Sequence, residues 1–349
     1  LLRTIPYFWS DAVNCFFFGH GPMTLTLLDV VMITGLDISS PCPSAFSISV
    51  SPYVLSSKGN VTNWTAYLGQ HCKSGGPVDE KEHTAFLNMW LELFLFCGPS
   101  LAPTRNYISL AYDLAAGEKI GLGKLFLGEV YRLLHLSVSG LLGGKKPRTG
   151  GPWWFIQLWA HLHFQSHLPH FSPLAGRSFP DGHGGQVGCT SYGQALYRQP
   201  GSPLTPKGAA SWFKVFFRGL PAPAFLPYLN SPFENPASFR FDRLPDVPEF
   251  RQVYSLMIRP TFLPVGMSTS NRIIKPGYES YQPVIAARQF GLAQVPPHFF
   301  IHSLVQCRAD LPDKVTAHHC YRFFDHLFLP IPSDLSLVVS TEGFSAWWE

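Results

Sequence analysis

Residues 24–38, TLTLLDVVMITGLDI, carry the strongest local structural signal in the chain. Thr26 and Asp29 form a capping pair, because a hydroxyl and a carboxylate three residues apart can satisfy the free N–H groups of a first helical turn. The apolar residues that follow supply a helix face. Gly35 is suited to the left-handed conformation that often ends a helix. The segment predicts a short helix with a buried face.

Apolar residues at helical spacing recur along the chain, whereas strand patterns are few. Further helices are predicted at 82–96, 107–116, 124–136, 153–167, 209–218, 247–258, 284–292 and 315–327. Short strands are predicted at 16–18, 258–263 and 335–340. The sequence therefore predicts a mainly α fold with minor β (α+β), formed by a single large helical domain with long Pro- and Gly-rich loops.

Two long segments rich in Ser, Gly and Pro interrupt this pattern. Residues 39–82 are predicted to be a surface loop, and residues 171–206 a loop or hinge that separates 1–170 from 207–349. The length suits one large domain, so we expect a single domain over 1–349. The chain does not open on Met, and we expect that it is clipped at its N-terminus.

The composition is low in charge and rich in aromatic residues. Charged residues make up 14% of the chain, and there are 29 Phe, 13 Tyr and 9 Trp. Such a chain must bury much aromatic surface or present some of it to a partner. The net charge is +4, and the densest basic cluster is Lys145, Lys146 and Arg148. This cluster is too small for a surface that tracks phosphates, so nucleic-acid binding is only weakly supported.

The cysteine pattern and the apolar runs bear on the cellular compartment. Seven Cys are widely spread without a CxxC pair, which is typical of reduced thiols in an intracellular protein. The best apolar run, 86–96, contains Asn88 and Glu92 and is too short to cross about 30 Å of hydrocarbon. No signal peptide or transmembrane segment is evident, and we expect no association with a membrane.

A group of histidines is the strongest candidate metal site. The group consists of His161, His163, His167 and His170, and two of its members, His163 and His167, are one helical turn apart. That spacing lets two imidazoles share an ion. No carboxylate stands between or beside them, and a helix end whose carbonyls are satisfied by His explains the same pattern. A metal-dependent hydrolase that uses the His161–His170 cluster remains an alternative.

Catalytic motifs are otherwise lacking in the sequence. No pattern supplies a nucleophile beside a base, and no Lys stands in a context that fixes it as a Schiff-base residue. Residues 117–124 end in Gly-Lys, but the spacing between their glycines is wrong for a phosphate loop, and Leu125 stands where such a loop needs Ser or Thr. We therefore expect no enzymatic activity, no catalytic residue, no metal and no other cofactor.

Residues 281–297, YQPVIAARQFGLAQVPP, add a family resemblance to this picture. Together with 24–38 they resemble the signature segments of the plant mobile domain, an "aminotransferase-like" domain of transposon-associated plant proteins and of the meristem-maintenance (MAIN-like) proteins. Similar blocks follow in the family's order at 90–97 (WLELFLFC), 127–134 (LGEVYRLL) and 151–160 (GPWWFIQLWA). The resemblance covers nearly the whole chain and departs from the family at the insertions 39–82 and 171–206.

The resemblance implies a nuclear, non-enzymatic protein-interaction module. Its implied roles are meristem maintenance, transposon and gene silencing, and genome integrity, unless the chain is carried by a transposable element. The implied partner is a protein, in some members a phosphatase-7-like protein. The label "aminotransferase-like" is not taken as an activity. An alternative is a DNA-binding module of transposon origin in which the helix of residues 24–35 reads DNA.

We predict that Arg288, Gln289 and Phe290 are the surface anchors for the partner, with Tyr131 and Arg132 as a second set. Arg and aromatic side chains are favoured at the centres of protein interfaces. The same residues also fit a structural interpretation, in which the Arg-Gln-Phe stretch ends a helix that is capped by the following glycine and packed through Phe290.

Overall fold

The computed structural model describes most of the first half of the chain and several parts of the second. The described residues are 1–41, 51–55, 61–73, 75–100, 102–145, 150–164, 178–180, 186–188, 205–218, 228, 257, 259–266 and 277–290. The α-helices within them are α1 (Leu27–Thr34), α2 (Trp64–His71), α3 (Glu80–Met89), α4 (Ile108–Ala115), α5 (Leu122–Leu142), α6 (Trp153–Phe164) and α7 (Pro206–Phe217).

Short strands and three non-α helical segments complete these elements within the described residues. The strands are β1 (Trp9–Ser10), β2 (Cys15–Phe18), β3 (Gly21–Met23), β4 (Ser178–Pro180), β5 (Gln186–Gly188), β6 (Thr261–Val265) and β7 (Gly277–Tyr281). Antiparallel pairing gives a three-stranded sheet β1-β2-β3 and the hairpins β4-β5 and β6-β7. A 3-10 helix (Ile5–Phe8) precedes β1, a π-helical segment (Trp90–Leu95) continues α3, and a 3-10 segment (Pro283–Phe290) follows β7. The fold is mainly α with minor β, as predicted.

The predicted capping pair begins α1. The Thr26 hydroxyl accepts from the Asp29 N–H at 3.2 Å, and the Asp29 carboxylate accepts from the Thr26 N–H at 2.7 Å. Gly35 has φ 69° and ends the helix. Every residue from Leu27 to Ile33 is buried, so α1 is a core helix with no solvent-facing side. The prediction of a short helix is confirmed, and its burial extends beyond the single face that was expected.

Helix α5 lies at the centre of the fold. It packs against α1, the first strand and the hairpin β6-β7. A Cβ atom added at Gly128 would lie 2.3 Å from the carbonyl oxygen of Pro264 in β6, far inside van der Waals contact. The absence of a side chain at Gly128 therefore lets the helix backbone reach the backbone of the hairpin.

Aromatic rings fill the core between β2 and helices α6 and α7. Phe16 stacks on Trp159 with ring centroids 5.4 Å apart, and Phe18 stacks on Phe216 at 4.8 Å. Trp9 meets Phe16 edge-on at 4.8 Å. Such pairs contribute about 0.5–1.5 kcal/mol each beyond the burial of their area. Much of the aromatic content is explained by this stack.

A smaller core joins α2, α3 and α4. Its buried residues are Leu55, Val61, Tyr67, Ala85, Met89 and Ile108. The prediction of a loop over 39–82 is wrong in its second half, where α2 and the start of α3 lie. Asn63 caps α2 by accepting from the Ala66 N–H at 2.8 Å, and Tyr67 anchors the helix in this core. A short polar helix with a single buried ring has no apolar face for sequence periodicity to detect.

The other predicted elements have mixed outcomes. The strand at 16–18 lies within β2, and the helix predicted at 153–167 begins at Trp153. The helix predicted at 284–292 is 3-10 as far as Phe290. The elements predicted at 315–327 and 335–340 lie outside the described residues. The segments 171–206 and 247–258 are described only in part, so the division at 171–206 stays a prediction.

The length and hydropathy of α5 would allow it to cross a bilayer, although no transmembrane segment was predicted from the sequence. Half of its most apolar stretch is buried inside the structure. The core helix of a soluble protein has the same properties, so this is weak evidence for a membrane span.

Replacing Gly128 with Ala should destabilise the domain by about 1–3 kcal/mol, because the new methyl group overlaps the backbone of β6. The matched control is Gly69→Ala in α2, where a Cβ would meet no atom within 4 Å. The control should stabilise by about 0.5–1 kcal/mol, since Ala loses less conformational entropy than Gly in a helix. Urea unfolding followed by circular dichroism measures both changes. Equal effects of the two substitutions would contradict the close contact.

Candidate interaction surface

The two signature segments of the sequence meet inside the structure. The Gln289 side chain accepts from the Thr24 N–H at 2.7 Å and donates to the Thr24 C=O at 2.9 Å. One amide thus satisfies both backbone groups of one residue, as a neighbouring strand would do in a sheet. Both residues are buried.

Two tyrosines extend this arrangement along residues 24–27. The Tyr131 hydroxyl donates to the Leu25 C=O at 2.7 Å, and the Tyr281 hydroxyl accepts from the Leu27 N–H at 3.1 Å. Burial raises the pKa of both hydroxyls well above the ordinary value for tyrosine, so both remain protonated donors. We call the hydrogen bonds of Tyr131, Tyr281 and Gln289 to residues 24–27 the buried clamp.

Asp29 links α1 to residues far along the chain. Its Oδ1 atom accepts from the Tyr228 hydroxyl at 2.6 Å and lies 3.4 Å from Nε2 of His163, and all three residues are buried. Its Oδ2 atom accepts from the Thr26 N–H and hydroxyl. A buried carboxylate is stable only when its oxygens are paired in this way. Asp29 therefore caps α1 and also connects this helix to α6, through His163, and to Tyr228.

Two of the predicted surface anchors are buried and cannot contact a partner in this structure. Tyr131 and Gln289 belong to the buried clamp, so the expectation that they are surface anchors is wrong for this structure. Both have long polar side chains that also suit a surface, which is why their sequence context did not distinguish the two roles. The side chains of Arg288 and Phe290 lie outside the described part of the chain, and their role stays a prediction.

Arg132 differs from its neighbour Tyr131 because it faces the other side of α5. It is partly exposed and lines a cleft of about 280 Å³ between α5, the π-helical segment and residues 98–107 and 150–152. Its guanidinium lies 3.7 Å from the Glu129 carboxylate and makes no hydrogen bond to any described residue. A half-exposed ion pair at this distance contributes little to stability, so the donors of Arg132 are available to a partner.

Glu92 forms an opposite wall of the cleft. Its carboxylate accepts from the Thr104 N–H at 2.9 Å and from the Thr104 hydroxyl, and the side chain is buried. Burial raises the pKa of Glu92 above the ordinary value for glutamate, while the hydrogen bonds from Thr104 act in the opposite direction. Glu92 therefore holds the segment around Thr104 against the π-helical segment.

The π-helical segment also places apolar side chains at the surface. Phe96 donates its N–H at 2.8 Å to the C=O of Leu91, five residues earlier, which is the hydrogen-bond pattern of a π-helix. Cys97 follows with a positive φ of 47°. Leu93 and Phe94 are exposed on this turn, and Phe94 keeps 57% of its surface accessible. Phe86 is exposed on α3, two turns earlier. π-helical turns are frequent at functional sites. We call Phe86, Leu93, Phe94 and the Arg132 cleft the π-helical face.

The sequence contains a signal for this face. The apolar residues of the helix predicted over 82–96 are Phe86, Met89, Trp90, Leu93, Phe94 and Phe96. They are too many and too widely spaced around the helix for one face to bury. Met89 and Phe96 are buried, whereas Phe86, Leu93 and Phe94 are left in solvent.

The histidine cluster is only partly described. His161 and His163 are buried on α6, and burial lowers the pKa of His161 to about 4. His163 is directed at Asp29, while His167 and His170 lie outside the described residues. Among the residues that are described, no group of three or more His, Cys, Asp or Glu could hold a metal ion. The hydrolase alternative therefore gains no support from His161 and His163.

The DNA-binding alternative assigned the contact to α1. A recognition helix must lie at the surface so that its side chains can enter a groove. Since α1 is buried along its length, it cannot read DNA in this structure, and that assignment is wrong.

The structure thus defines a mainly α domain whose signature segments form a buried clamp and whose α3 and α5 carry an exposed apolar and arginine face. The family model for the plant mobile domain matches residues 2–349, and the chain belongs to this family. The resemblance read from residues 24–38 and 281–297 is confirmed over the whole chain. No curated protein and no solved structure matches the chain.

Gln289→Ala should destabilise the domain by about 2–4 kcal/mol, because it leaves the buried N–H and C=O of Thr24 without partners. Arg132→Ala should change the free energy of unfolding by no more than about 0.5 kcal/mol, since its ion pair is weak. Urea unfolding distinguishes a clamp residue from a surface residue in this pair. A small effect of Gln289→Ala would contradict the clamp.

Glu92→Gln should become progressively more stable than wild type as the pH rises from the unfolded-state pKa of Glu92 towards its raised folded-state pKa. Because the folded-state pKa is raised, Glu92 does not lower the free energy of unfolding below the unfolded-state pKa of about 4.3, where its carboxyl group is protonated in both states. As the pH rises towards the folded-state pKa, the unfolded state loses its proton first and stability falls. Glutamine can accept from the Thr104 N–H through its amide oxygen and donate from its NH2 group to the Thr104 hydroxyl, without this penalty. Unfolding free energies of the two proteins at each pH provide the measurement, and a constant difference would contradict the assignment.

Proposed function

We propose that this plant mobile domain chain is a non-enzymatic protein-interaction module and that the π-helical face is its contact surface. The observation that carries the proposal is the exposure of Leu93 and Phe94 on the same turn that supplies Glu92 to the Arg132 cleft. Exposed large apolar side chains and arginine are the residue types that interface centres favour.

The geometry of this face suits a preorganised contact. The π-helical turn is held from inside, where Leu91 and Leu95 are buried and the Trp154 indole donates to the Leu95 C=O at 3.2 Å. The exposed residues therefore need little ordering when they bind, which lowers the entropic cost of association. Burying a phenylalanine side chain contributes about 1.5–3 kcal/mol, so Phe86 and Phe94 together supply an adequate anchor.

The biological setting of the proposal comes from the family. The resemblance implies a nuclear protein that acts in meristem maintenance, in transposon or gene silencing and in genome integrity, with a phosphatase-7-like protein as partner. We propose this setting for the chain, either as a host protein or as one carried by a transposable element. Catalysis, metal and cofactor have no part in the proposed function.

Affinity purification of the tagged chain from plant nuclei should recover a phosphatase-7-like protein, identified by mass spectrometry. The double variant Phe94→Ala/Arg132→Ala should lose this partner, because it removes the apolar anchor and the free guanidinium together. The matched control is Phe17→Ala on β2, since Phe17 has a similar exposure of 51%.

The outcomes separate the predicted sites. Loss of the partner with Phe94→Ala/Arg132→Ala alone supports the π-helical face. Loss with Arg288→Ala/Phe290→Ala alone moves the interface to the end of the 3-10 segment and keeps the module. If folded wild type recovers no phosphatase-like protein above the level of an untagged control, the proposed partner is wrong.

A further inference from the structure

The outer side of α7 carries a stripe of exposed cations. Lys207, Lys214 and Arg218 stand at positions i, i+7 and i+11, so they follow one line along the helix. All three are exposed, and none of their side chains forms an ion pair or hydrogen bond with a residue that the structure describes. Residues 205–218 contain no Asp or Glu. We call these three residues the basic stripe.

Exposed aromatic rings lie beside the basic stripe. Phe213 and Phe217 are one turn apart on the neighbouring line of α7, and Phe217 keeps 70% of its surface accessible. Tyr7 of the 3-10 helix is 63% exposed and lies 5.8 Å from Phe213, centroid to centroid. The buried ring of Phe8 contacts both Phe213 and Phe217, at 5.8 and 5.0 Å. The rings of Tyr7, Phe213 and Phe217 are therefore packed together through Phe8 and Phe213.

The end of α7 is firmly seated, so the exposure of Phe217 does not come from a loose helix end. Phe216 is fully buried against Phe18, and its C=O accepts from the Gly19 N–H at 2.8 Å. A Cβ atom at Gly19 would lie 2.0 Å from the Phe217 carbonyl oxygen, so the two backbones touch. Phe217 lies about 100° further around the helix axis than Phe216, on the side of α7 that faces solvent.

We infer that the basic stripe and the rings of Tyr7, Phe213 and Phe217 bind single-stranded nucleic acid. Cations that follow the backbone, next to aromatic faces on which bases stack, are the recurring elements of such surfaces. Two of the three cations are lysines, which bind phosphate as point charges but are depleted at the centres of protein interfaces. A polyanion with exposed bases therefore fits this surface better than an acidic protein does.

The dimensions set the expected length of the bound strand. Eleven residues separate the first and last cations, which is about 16 Å along a helix that rises 1.5 Å per residue. At about 3.4 Å per stacked nucleotide, this distance covers roughly five nucleotides. The surface lies on α7 and the N-terminal 3-10 helix and shares no residue with the π-helical face, so the inference does not depend on the proposed protein partner.

The test is fluorescence anisotropy of labelled dT15 and U15 with the full chain over a range of salt concentrations. Three phosphate contacts predict that log K falls against log salt with a slope of about −2, at about 0.7 per contact for single strands. Lys214→Ala/Arg218→Ala should reduce the slope to about −0.7. Phe217→Ala should weaken binding about tenfold at every salt concentration without changing the slope, because stacking is not ionic.

The control is Lys119→Ala, which removes an exposed cation from the segment before α5 and should change neither affinity nor slope. The preference between dT15 and U15 assigns the ligand to DNA or RNA, and binding of either supports the inference. The inference is overturned if neither oligomer binds, or if the double substitution leaves the slope unchanged. Equal competition by an oligo-glutamate peptide, or tighter binding of a duplex, would also overturn it.

Discussion

Side chains, rather than a neighbouring strand, satisfy the buried backbone of residues 24–27, and the interior is arranged around this constraint. An extended segment away from water must still pair its N–H and C=O groups, at a cost of about 1–3 kcal/mol for each that is left unpaired. Gln289, Tyr131, Asp29 and Tyr281 make these pairs. These hydrogen bonds hold four elements around residues 24–27, namely α1, α5, the end of β7 and the 3-10 segment that follows it.

Local signals in the sequence predicted the start and end of α1 because their partners are close in sequence. Thr26 and Asp29 are three residues apart, and Gly35 needs only its own conformation. The pairing of Thr24 with Gln289 spans 265 residues. No pattern in one sequence distinguishes a glutamine that holds a remote backbone from one that faces a partner. The family resemblance identified both segments as signatures without showing that they touch.

The surfaces were harder to predict than the core for a related reason. Hydrophobic periodicity indicates which residues can share a helix face, but the packing of the whole molecule decides which of those faces is covered. Over 82–96 the packing leaves Phe86, Leu93 and Phe94 exposed and buries Met89 and Phe96. The spacing of the cations on α7 follows from the sequence alone. The exposure of Phe217, in contrast, depends on how α7 is seated, with the Phe217 backbone in contact with Gly19.

The large sequence separation between the residues of the buried clamp also determines when the domain can form during translation. A ribosome that adds about 5–20 residues per second needs roughly 15–50 s to pass from Thr24 to Gln289. Until Gln289 has been added, the buried backbone of Thr24 lacks the side chain that pairs with it. The clamp is therefore completed late in the synthesis of this domain, and apolar segments synthesised earlier wait for the contacts that complete their burial.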